Sequence, residues 1–306
     1  MLPPQQNRYV LDLEGVPCGH IRSIDDSGFI ADVVDETPRP LLDITPLPAG
    51  LNYYVKKHLG AMKNQELTLE IDFSLVGDIY TWIGNSWRQR IPHSGAIVTT
   101  DAGLVATNAQ VFYGALITET TIPTMDASSN DPCYLTLKIV PEYTRFKKAS
   151  GNLTVPGSLG GWRSSGFRLE IDGLDCTHVK KIEAFTVRQK VAADNTGEVR
   201  NYEIGPGLVG FPNLKLEITS PESPEGQTWL DWCDDFMIKG KNGDIKEKYG
   251  ILTFLTEDMQ ELDYCIRFFN LGIYRLTPTK LEDGVEAFAI ELYCERMEFL
   301  RKDQIP

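Results

Sequence analysis

The sequence predicts a mainly β protein made of two tandem domains, each with one short α-helix. Residues 9–24 (YVLDLEGVPCGHIRSI) align without a gap with residues 167–182 (FRLEIDGLDCTHVKKI). Apolar residues alternate with a period of two in several later stretches, as they do in half-buried strands. A tryptophan-bearing stretch with helical spacing also occurs in each half. A repeat on this scale indicates a tandem duplication.

Both aligned segments are predicted to be β-hairpins. In each, an alternating strand leads into an acidic residue followed by glycine, at Glu14-Gly15 and at Asp172-Gly173. Glycine adopts the positive φ that tight hairpin turns require. Five positions, offset by 158 residues, are identical in the two segments: Leu11/Leu169, Gly15/Gly173, Cys18/Cys176, His20/His178 and Ile24/Ile182.

A proline-rich stretch, residues 25–59, follows the first hairpin. Its length and weak periodicity predict either an irregular functional arm or an Ω-like loop. Its counterpart in the second half, residues 187–205, contains less proline. The glycine-rich residues 205–210 (GPGLVG) lack the lysine and the helix start of a phosphate-binding loop, so an ordinary loop is predicted there.

A strand and a short helix come next in each half. The predicted elements are residues 67–73 and 78–87, then residues 214–218 and 227–236. Asp78 is a candidate N-cap for the first helix. Trp82 and Trp229 are equivalent at an offset of 147 residues. Because they lie at helical spacing beside an apolar strand, both indoles are predicted to be buried.

Further strands close each half, and a linker separates the halves. The closing strands are predicted at residues 111–123, 133–143, 250–258, 262–278 and 287–300. Residues 262–278 are assigned to a strand because aromatic and β-branched residues dominate them. Residues 147–161 are rich in Gly and Ser, which is typical of a linker. The predicted domains are residues 1–146 and 162–306.

The bulk composition excludes several functional classes. The chain has 306 residues and a net charge of −13, which argues against nucleic-acid binding because phosphate recognition needs a basic face. No apolar run approaches the roughly 18 residues of a membrane span, and the first residues do not resemble a secretory signal. Six cysteines without a CxxC pair indicate an intracellular, reduced chain.

No catalytic, cofactor-binding or metal-binding residues are assigned, and no cofactor is expected. The four histidines are His20, His58, His93 and His178. They are too scattered to form a metal site, although two of them follow a cysteine at Cys-x-His spacing. The acidic pairs Asp234/Asp235 and Glu257/Asp258 are candidates for acid–base chemistry, but solvated surface positions are the favoured interpretation.

Four tryptophans offer an alternative function. Trp82, Trp87, Trp229 and Trp232 would be carbohydrate-stacking platforms if they were exposed, and core residues if they were buried. Exposure together with convergent carboxylates would favour a β-rich carbohydrate-binding or hydrolytic module. Burial would favour a structural protein.

Several motifs resemble those of the tail-tube family of contractile phage tails and contractile injection systems. The same fold group includes the hemolysin-coregulated tube protein of type VI secretion. The motifs are Leu67-Thr68-Leu69 with Trp82-Ile83, Leu214-Lys215-Leu216 with Trp229-Leu230, and Arg267 to Ile273 with Phe288-Ala289-Ile290-Glu291 and Glu298. The resemblance covers nearly the whole chain and consists of packing residues. Tube proteins are single domains, whereas this chain is doubled.

The resemblance implies two tandem tail-tube-like β-barrel domains and a non-enzymatic, structural role. The chain would be a tube-associated cap adaptor, tube terminator, plug or baseplate piece of a phage-tail-like particle. Its expected partners are the tail tube, cap, sheath or baseplate proteins and further copies of itself in a closed ring. Six copies are favoured over three. Assembly in the bacterial cytoplasm is expected, in a particle that is either released or anchored.

Overall fold

A computed structural model describes most of the chain: residues 8–25, 28, 30–36, 39–40, 53–62, 66–72, 78–89, 91–155, 162–194, 203–219, 224–256, 258, 260–280 and 286–301. The first repeat contains the strands β1 (Arg8–Leu13), β2 (Val16–Asp25), β3 (Ala31–Asp35), β4 (Arg39–Pro40), β5 (Tyr53–Tyr54), β6 (Lys57–Met62), β7 (Leu67–Ile71), β8 (His93–Thr100), β9 (Ala106–Ile122), β10 (Met125–Asp126), β11 (Pro132–Cys133), β12 (Leu135–Val140) and β13 (Tyr143–Lys148). The second repeat contains β14 (Trp162–Arg163), β15 (Phe167–Ile171), β16 (Val179–Ile182), β17 (Phe185–Asp194), β18 (Glu203–Gly210), β19 (Leu214–Thr219), β20 (Lys248–Leu255), β21 (Glu261–Lys280) and β22 (Glu286–Arg301). The helices are α1 (Asp78–Ser86) and α2 (Pro224–Cys233), and α2 continues into a π-helical turn, Asp234–Ile238. The protein is therefore mainly β with two short helices, as predicted.

Six strands of the first repeat close into a barrel. Their order is β12-β7-β2-β1-β8-β9, and β9 pairs back onto β12. The alternation in β7 places Leu67, Leu69 and Ile71 inside, where all three are fully buried. Because each of the six strands has two neighbours in the barrel, the barrel has no unpaired edge strand, although the end of β9 extends beyond β8.

The second repeat has the same strand order but is open at one place. Its strands run β16-β19-β22-β21-β20-β15, which matches the barrel order except that the equivalents of β1 and β2 do not pair. The long strands β21 and β22 form an extended antiparallel hairpin in which Tyr264 faces Arg301 and Lys280 faces Glu286. The second repeat is thus a half-barrel, and the common order supports the duplication.

The first predicted hairpin is confirmed. β1 and β2 pair through a tight turn in which Glu14 has φ 54° and Gly15 has φ 90°. The Gly15 N–H donates to Asp12 Oδ1 at 2.8 Å. Local sequence determines this turn, because Gly15 adopts a positive φ without strain and the Asp12 carboxylate accepts its N–H.

The second predicted hairpin is wrong in its pairing. β15 pairs with β20, and β16 pairs with β19 and β10. The Asp175 carboxylate accepts the Thr177 N–H at 2.8 Å, which makes an Asx turn and takes the backbone out of the strand. The first repeat has Pro17 and Gly19 at the equivalent positions and remains extended.

Both helices bury their tryptophans, as predicted. Trp82 is 1% exposed and Trp229 is 0% exposed. The Trp229 indole N–H also donates to the Asp175 carbonyl at 2.7 Å, which ties α2 to the Asx turn. Each helix therefore packs inward against the strands of its own repeat through a large aromatic side chain.

The two arms are hairpins at the same point of the strand order, between the second and third barrel strands of each repeat. The first arm is the β3–β6 hairpin, which forms a two-stranded sheet of its own. The second arm is the β17–β18 hairpin. The expectation of an irregular 25–59 segment is therefore wrong for the residues in β3 and β6. Residues 41–52 lie outside the described part of the chain.

The loop predicted for residues 205–210 is also wrong, because these residues belong to β18. A Cβ at Gly207 would come 2.3 Å from the Lys190 carbonyl oxygen of the facing strand. Glycine here permits close approach of two backbones rather than a turn.

One hydrophobic core runs through both repeats. A single cluster of buried side chains contains residues from each, among them Leu69, Trp82, Trp229 and Phe268. Within the predicted linker, Lys147 and Lys148 still belong to β13, and the Leu153 N–H donates to the Leu104 carbonyl. The division at residues 147–161 remains a prediction. No helix in the described residues is long and apolar enough to cross a membrane.

We expect Trp82→Ala to destabilise the fold by about 3–5 kcal/mol, because it leaves a large cavity in the core. Tyr249→Ala is the control, since that ring is 50% exposed and its loss should be tolerated. Chemical denaturation of both variants and the wild type measures the difference. An unchanged unfolding midpoint for Trp82→Ala would contradict the packing role.

Candidate assembly interface

The two repeats share a β-sheet. Strand β17 of the second arm pairs antiparallel with β9 of the first repeat, and Phe185 faces Ile122 while Arg188 faces Glu119. The Arg188 Nε donates to the Glu119 carboxylate at 3.1 Å. Lys138 of β12 approaches the same carboxylate at 3.5 Å. The second arm therefore adds a strand to the sheet of its neighbour and carries a cation to an acidic position there.

Two shorter pairings reinforce this joint. β10 of the first repeat pairs with β16, and β11 pairs with β14. The β10 contact places Met125 against Ile182 on the edge that β15 would otherwise occupy. The first repeat thus covers part of the open edge of the half-barrel, as edge strands generally require.

Helix α1 packs against the second repeat through aromatic rings. The Tyr80 ring lies 4.1 Å from Tyr264 and 5.9 Å from Phe299, measured between centroids. Trp87 contacts Phe299 edge-on at 5.8 Å. Gly84 permits the close approach, because a Cβ there would come 2.6 Å from the Phe299 carbonyl oxygen. Phe299 is consequently only 3% exposed.

An ion pair lies beside these rings. Arg88, just after α1, places its guanidinium 2.7 Å from the Glu298 carboxylate on β22. The Glu298 side chain is 14% exposed, whereas that of Arg88 is 43% exposed. The joint between the repeats therefore combines strand addition, an aromatic cluster and two ion pairs, Arg88–Glu298 and Arg188–Glu119.

A double-mutant cycle tests the first ion pair. We expect Arg88→Ala and Glu298→Ala to show a coupling energy of about 0.5–1 kcal/mol, in the range of partly exposed pairs. Arg168→Ala with Glu298→Ala is the control, since Arg168 pairs with Glu170 on β15. Denaturation of the single and double variants measures the coupling. Additive effects for Arg88 and Glu298 would show that the pair does not stabilise the joint.

A cavity of about 1250 Å³ lies at the opening between β15 and β16. Its lining includes Glu170, Asp172, Cys176 and Arg267. Burial raises the pKa of the Cys176 thiol to about 12, so the thiol is protonated at neutral pH. Glu170 lies 3.4 Å from Arg168, an ordinary exposed ion pair. The cavity therefore holds a protonated thiol and a paired carboxylate rather than an activated nucleophile.

The structure does not bring the four histidines together into a ligand set. His93 lies 3.0 Å from Glu14, and His58 pairs with Glu36 in the first arm. Burial lowers the pKa of His20 on β2. Within the described residues, no three His, Cys, Asp or Glu side chains are grouped as a metal site would require.

The acidic candidates lie at the surface. Asp235 binds Lys239 at 2.9 Å and Lys241 at 3.0 Å, and hydrogen bonds from these two ammonium groups lower the pKa of its carboxyl. Asp258 is exposed, and Glu257 lies outside the described residues. All four candidate tryptophans are buried, so their indoles offer no sugar-stacking platform: Trp82, Trp87, Trp229 and Trp232.

The buried thiols should react slowly with a thiol reagent in the native protein. Cys18 and Cys294 are buried, and burial raises the pKa of each thiol to about 11. Because the thiolate is the reactive form, these groups should stay inert at pH 8 and become reactive on unfolding. Titration of the six cysteines with a chromogenic disulfide, with and without denaturant, measures this. Fast labelling of all six in the native state would contradict the burial.

Comparison with solved structures finds similar chains in contractile particles. The chain is similar to a chain of the anti-feeding prophage baseplate (17% identity, TM-score 0.33), covering 44% of this chain and 91% of that one. It is also similar to the tube-terminating cap of the anti-feeding prophage, with 13% identity and a TM-score of 0.34, covering 49% of this chain and 96% of that one. A third similar chain comes from the PVC sheath-tube complex of an extracellular contractile injection system. Its identity is 16% and its TM-score 0.30, covering 44% of this chain and 88% of that one.

These chains come from the class of particle that the sequence motifs resemble. Each aligns over less than half of this chain, and at such TM-scores the likeness does not by itself define the role of this chain. No protein-family model matches the sequence, and no curated protein matches it.

Sequence reasoning missed the residues of the joint. Arg88, Arg188 and Glu298 are ordinary surface charges when they are read along the chain. The signal that could have found Phe299 is its place in the alternating pattern of β22, because it is a buried aromatic near the end of a long strand.

Proposed function

We propose that this chain is a structural, non-enzymatic component of a phage-tail-like contractile injection particle. It associates with the tail tube as a cap adaptor, tube terminator, plug or baseplate piece. The proposal rests on the duplicated tube-like fold and on the joint between its repeats, because a protein whose sheets add strands to one another is suited to assembly. It contacts tube, cap, sheath or baseplate proteins.

A closed ring on the tube axis is the assembly that this architecture supports. The tube-family resemblance implies rings of six domains, which three doubled chains or six chains can supply. The resemblance alone favours six copies, with one domain of each chain stacked beyond the ring. The sheet shared by β9 and β17 instead supports repeats that lie side by side, an arrangement that three copies complete.

The carbohydrate-binding or hydrolytic alternative has less support. A sugar site needs accessible aromatic faces, but the candidate tryptophans lie in the core. A hydrolytic site needs convergent groups of matched pKa, whereas Asp234 and Asp235 bind surface lysines. Assembly in the bacterial cytoplasm, followed by release or anchoring of the particle, remains part of the proposal.

Reconstruction of particles that carry the tagged chain tests this function. We expect density for a closed ring centred on the tube axis, and native mass spectrometry of the released ring should count three or six copies. Particles assembled with Trp82→Ala should lack the ring density, because that chain does not fold stably. A wild-type chain that is found off the axis as a monomer would overturn the proposed function.

A further inference from the structure

The joint between the two repeats has a second, unfilled version on the same molecule. The first repeat contributes α1 and the end of β9 to the joint, and the second repeat contributes its arm and β22. Each repeat also has the complementary set. The second repeat has α2 and the end of β21, and the first repeat has its arm and β13.

Strand registers identify which residues correspond. Gly95 faces Phe112 in the first repeat, and Gly250 faces Phe268 in the second. Continuing along β9 and β21 in this register makes Arg275 the equivalent of Glu119. Likewise, Phe146 faces Gln110 and Phe299 faces Ile266, so that Phe146 and Phe299 are equivalent. By the same alignment, Arg145 is equivalent to Glu298, one residue before each phenylalanine.

The positions equivalent to Arg88 and Glu298 carry the opposite charges. Arg88 lies two residues after the end of α1, and Asp235 lies two residues after the end of α2. The acidic Asp235 therefore stands at the position of Arg88, and the basic Arg145 stands at the position of Glu298. Arg145 is exposed, with its guanidinium 4.7 Å from the centroid of the Tyr143 ring. Asp235 is 46% exposed and binds Lys239 and Lys241 on its own surface, so an incoming arginine joins an existing cluster of charges.

The arm contact shows the same reversal. In the second arm, residues 185–193 carry two basic residues and no acidic one, and one of the two, Arg188, binds Glu119. In the first arm, the aligned residues 27–35 carry two acidic residues, Asp32 and Asp35, and no basic one. Lys57 on the facing strand β6 lies 3.9 Å from Asp35, and Asp32 is the other acidic side chain of β3. The acceptor position in the second repeat is the base Arg275, which is 64% exposed and bound to Glu291 at 3.1 Å.

Equivalent side chains are buried in the joint between the repeats and exposed on the second, unfilled surface, as an open interface requires. Phe299 is 3% exposed under α1, whereas Phe146 is 56% exposed. Ile122 is fully buried where β17 pairs, whereas its equivalent Pro278 is exposed. A groove of about 610 Å³ lies between α2 and the β21–β22 hairpin, lined by Leu230, Pro278 and neighbouring residues. Among the described strands, β21 beyond Leu271 pairs with β22 alone.

We propose that a second copy of this chain fills this surface, so that the first repeat of one copy binds the second repeat of the next. Arg145 of one copy pairs with Asp235 of the other, and the first arm lies along the β21 edge near Arg275. Pro278 lacks an N–H, so the added strand pairs with the residues before it. The contact is heterologous, because different surfaces of the two copies meet, and repeating it about the tube axis forms the proposed ring.

The reversed charges determine which repeats meet. An acidic first arm is repelled by Glu119 and attracted by Arg275, so it selects a second repeat rather than another first repeat. A basic second arm has the opposite preference and stays on its own chain. This inference rests on the proposed ring and names the surfaces that hold it together.

Charge reversal tests the contact in the full-length protein. Arg145→Glu and Asp235→Arg should each weaken self-association about tenfold, since each converts an attraction into a repulsion. The double variant R145E/D235R should recover the wild-type association. Arg168→Glu is the matched control, because it reverses an exposed arginine on β15, away from this surface. Sedimentation velocity measures association, and thermal unfolding checks that every variant is folded.

Deletion of the first arm tests the strand contact separately. Asp25 and Thr68 face each other across β2 and β7, so a short Gly-Ser linker can replace residues 26–65. This variant should fail to close rings but should still bind, through its intact second repeat, the first arm of a wild-type copy. Native mass spectrometry of the mixture should show linear oligomers that have the deletion variant at one end.

The outcomes separate this inference from the proposed function. Rings that form equally well with Arg145→Glu, Asp235→Arg or the arm deletion overturn the inferred contact and leave a ring on the tube intact. A double variant that stays as weak as the single variants also overturns it. So does a wild-type chain that remains monomeric at all concentrations. Absence of the chain from the particle axis overturns the function itself, whatever the charge variants do.

Discussion

Backbone pairing between β9 and β17 is the interaction on which the rest of the molecule depends. A strand edge in water exposes donors and acceptors that attract other chains, so each edge must be covered or used. The first repeat solves this internally by closing its barrel. It accepts one more strand where β8 stops short of the end of β9, and the second repeat supplies that strand. The common core follows, because the pairing brings α1 onto Phe299.

Local chemistry explains what the sequence could predict. The first hairpin depends on adjacent residues at Glu14 and Gly15, and the buried strands depend on side-chain alternation within a few residues. Trp82 and Trp229 are predictable as core residues, because their helical spacing beside an apolar strand directs both indoles toward that strand. Fold class, element order and duplication all follow from such short-range signals.

Long-range strand pairing explains which features the sequence could not predict. Residues 167–182 keep the leucine, glycine, cysteine and histidine of the first hairpin, yet Asp175 and Thr177 redirect the chain and the two strands separate. The reversed pairs were hidden for a different reason. Insertions shift the repeat offset from 158 residues in the first strands to 147 in the helices, so Arg88 and Asp235 are matched only after each element is aligned alone.

The opening between β15 and β16 gives the two repeats different mechanical properties. A closed barrel has a fixed circumference, since widening it would break a ladder of hydrogen bonds along a whole strand. The half-barrel lacks this closure. Among the described residues β15 and β16 do not pair with each other, and β10 covers only part of the β16 edge, so β15 can rotate away from β16 with little loss of backbone pairing. One polypeptide thus joins a stiff segment to a compliant one. In the ring proposed above, every second position would adjust its curvature to a neighbour of different diameter.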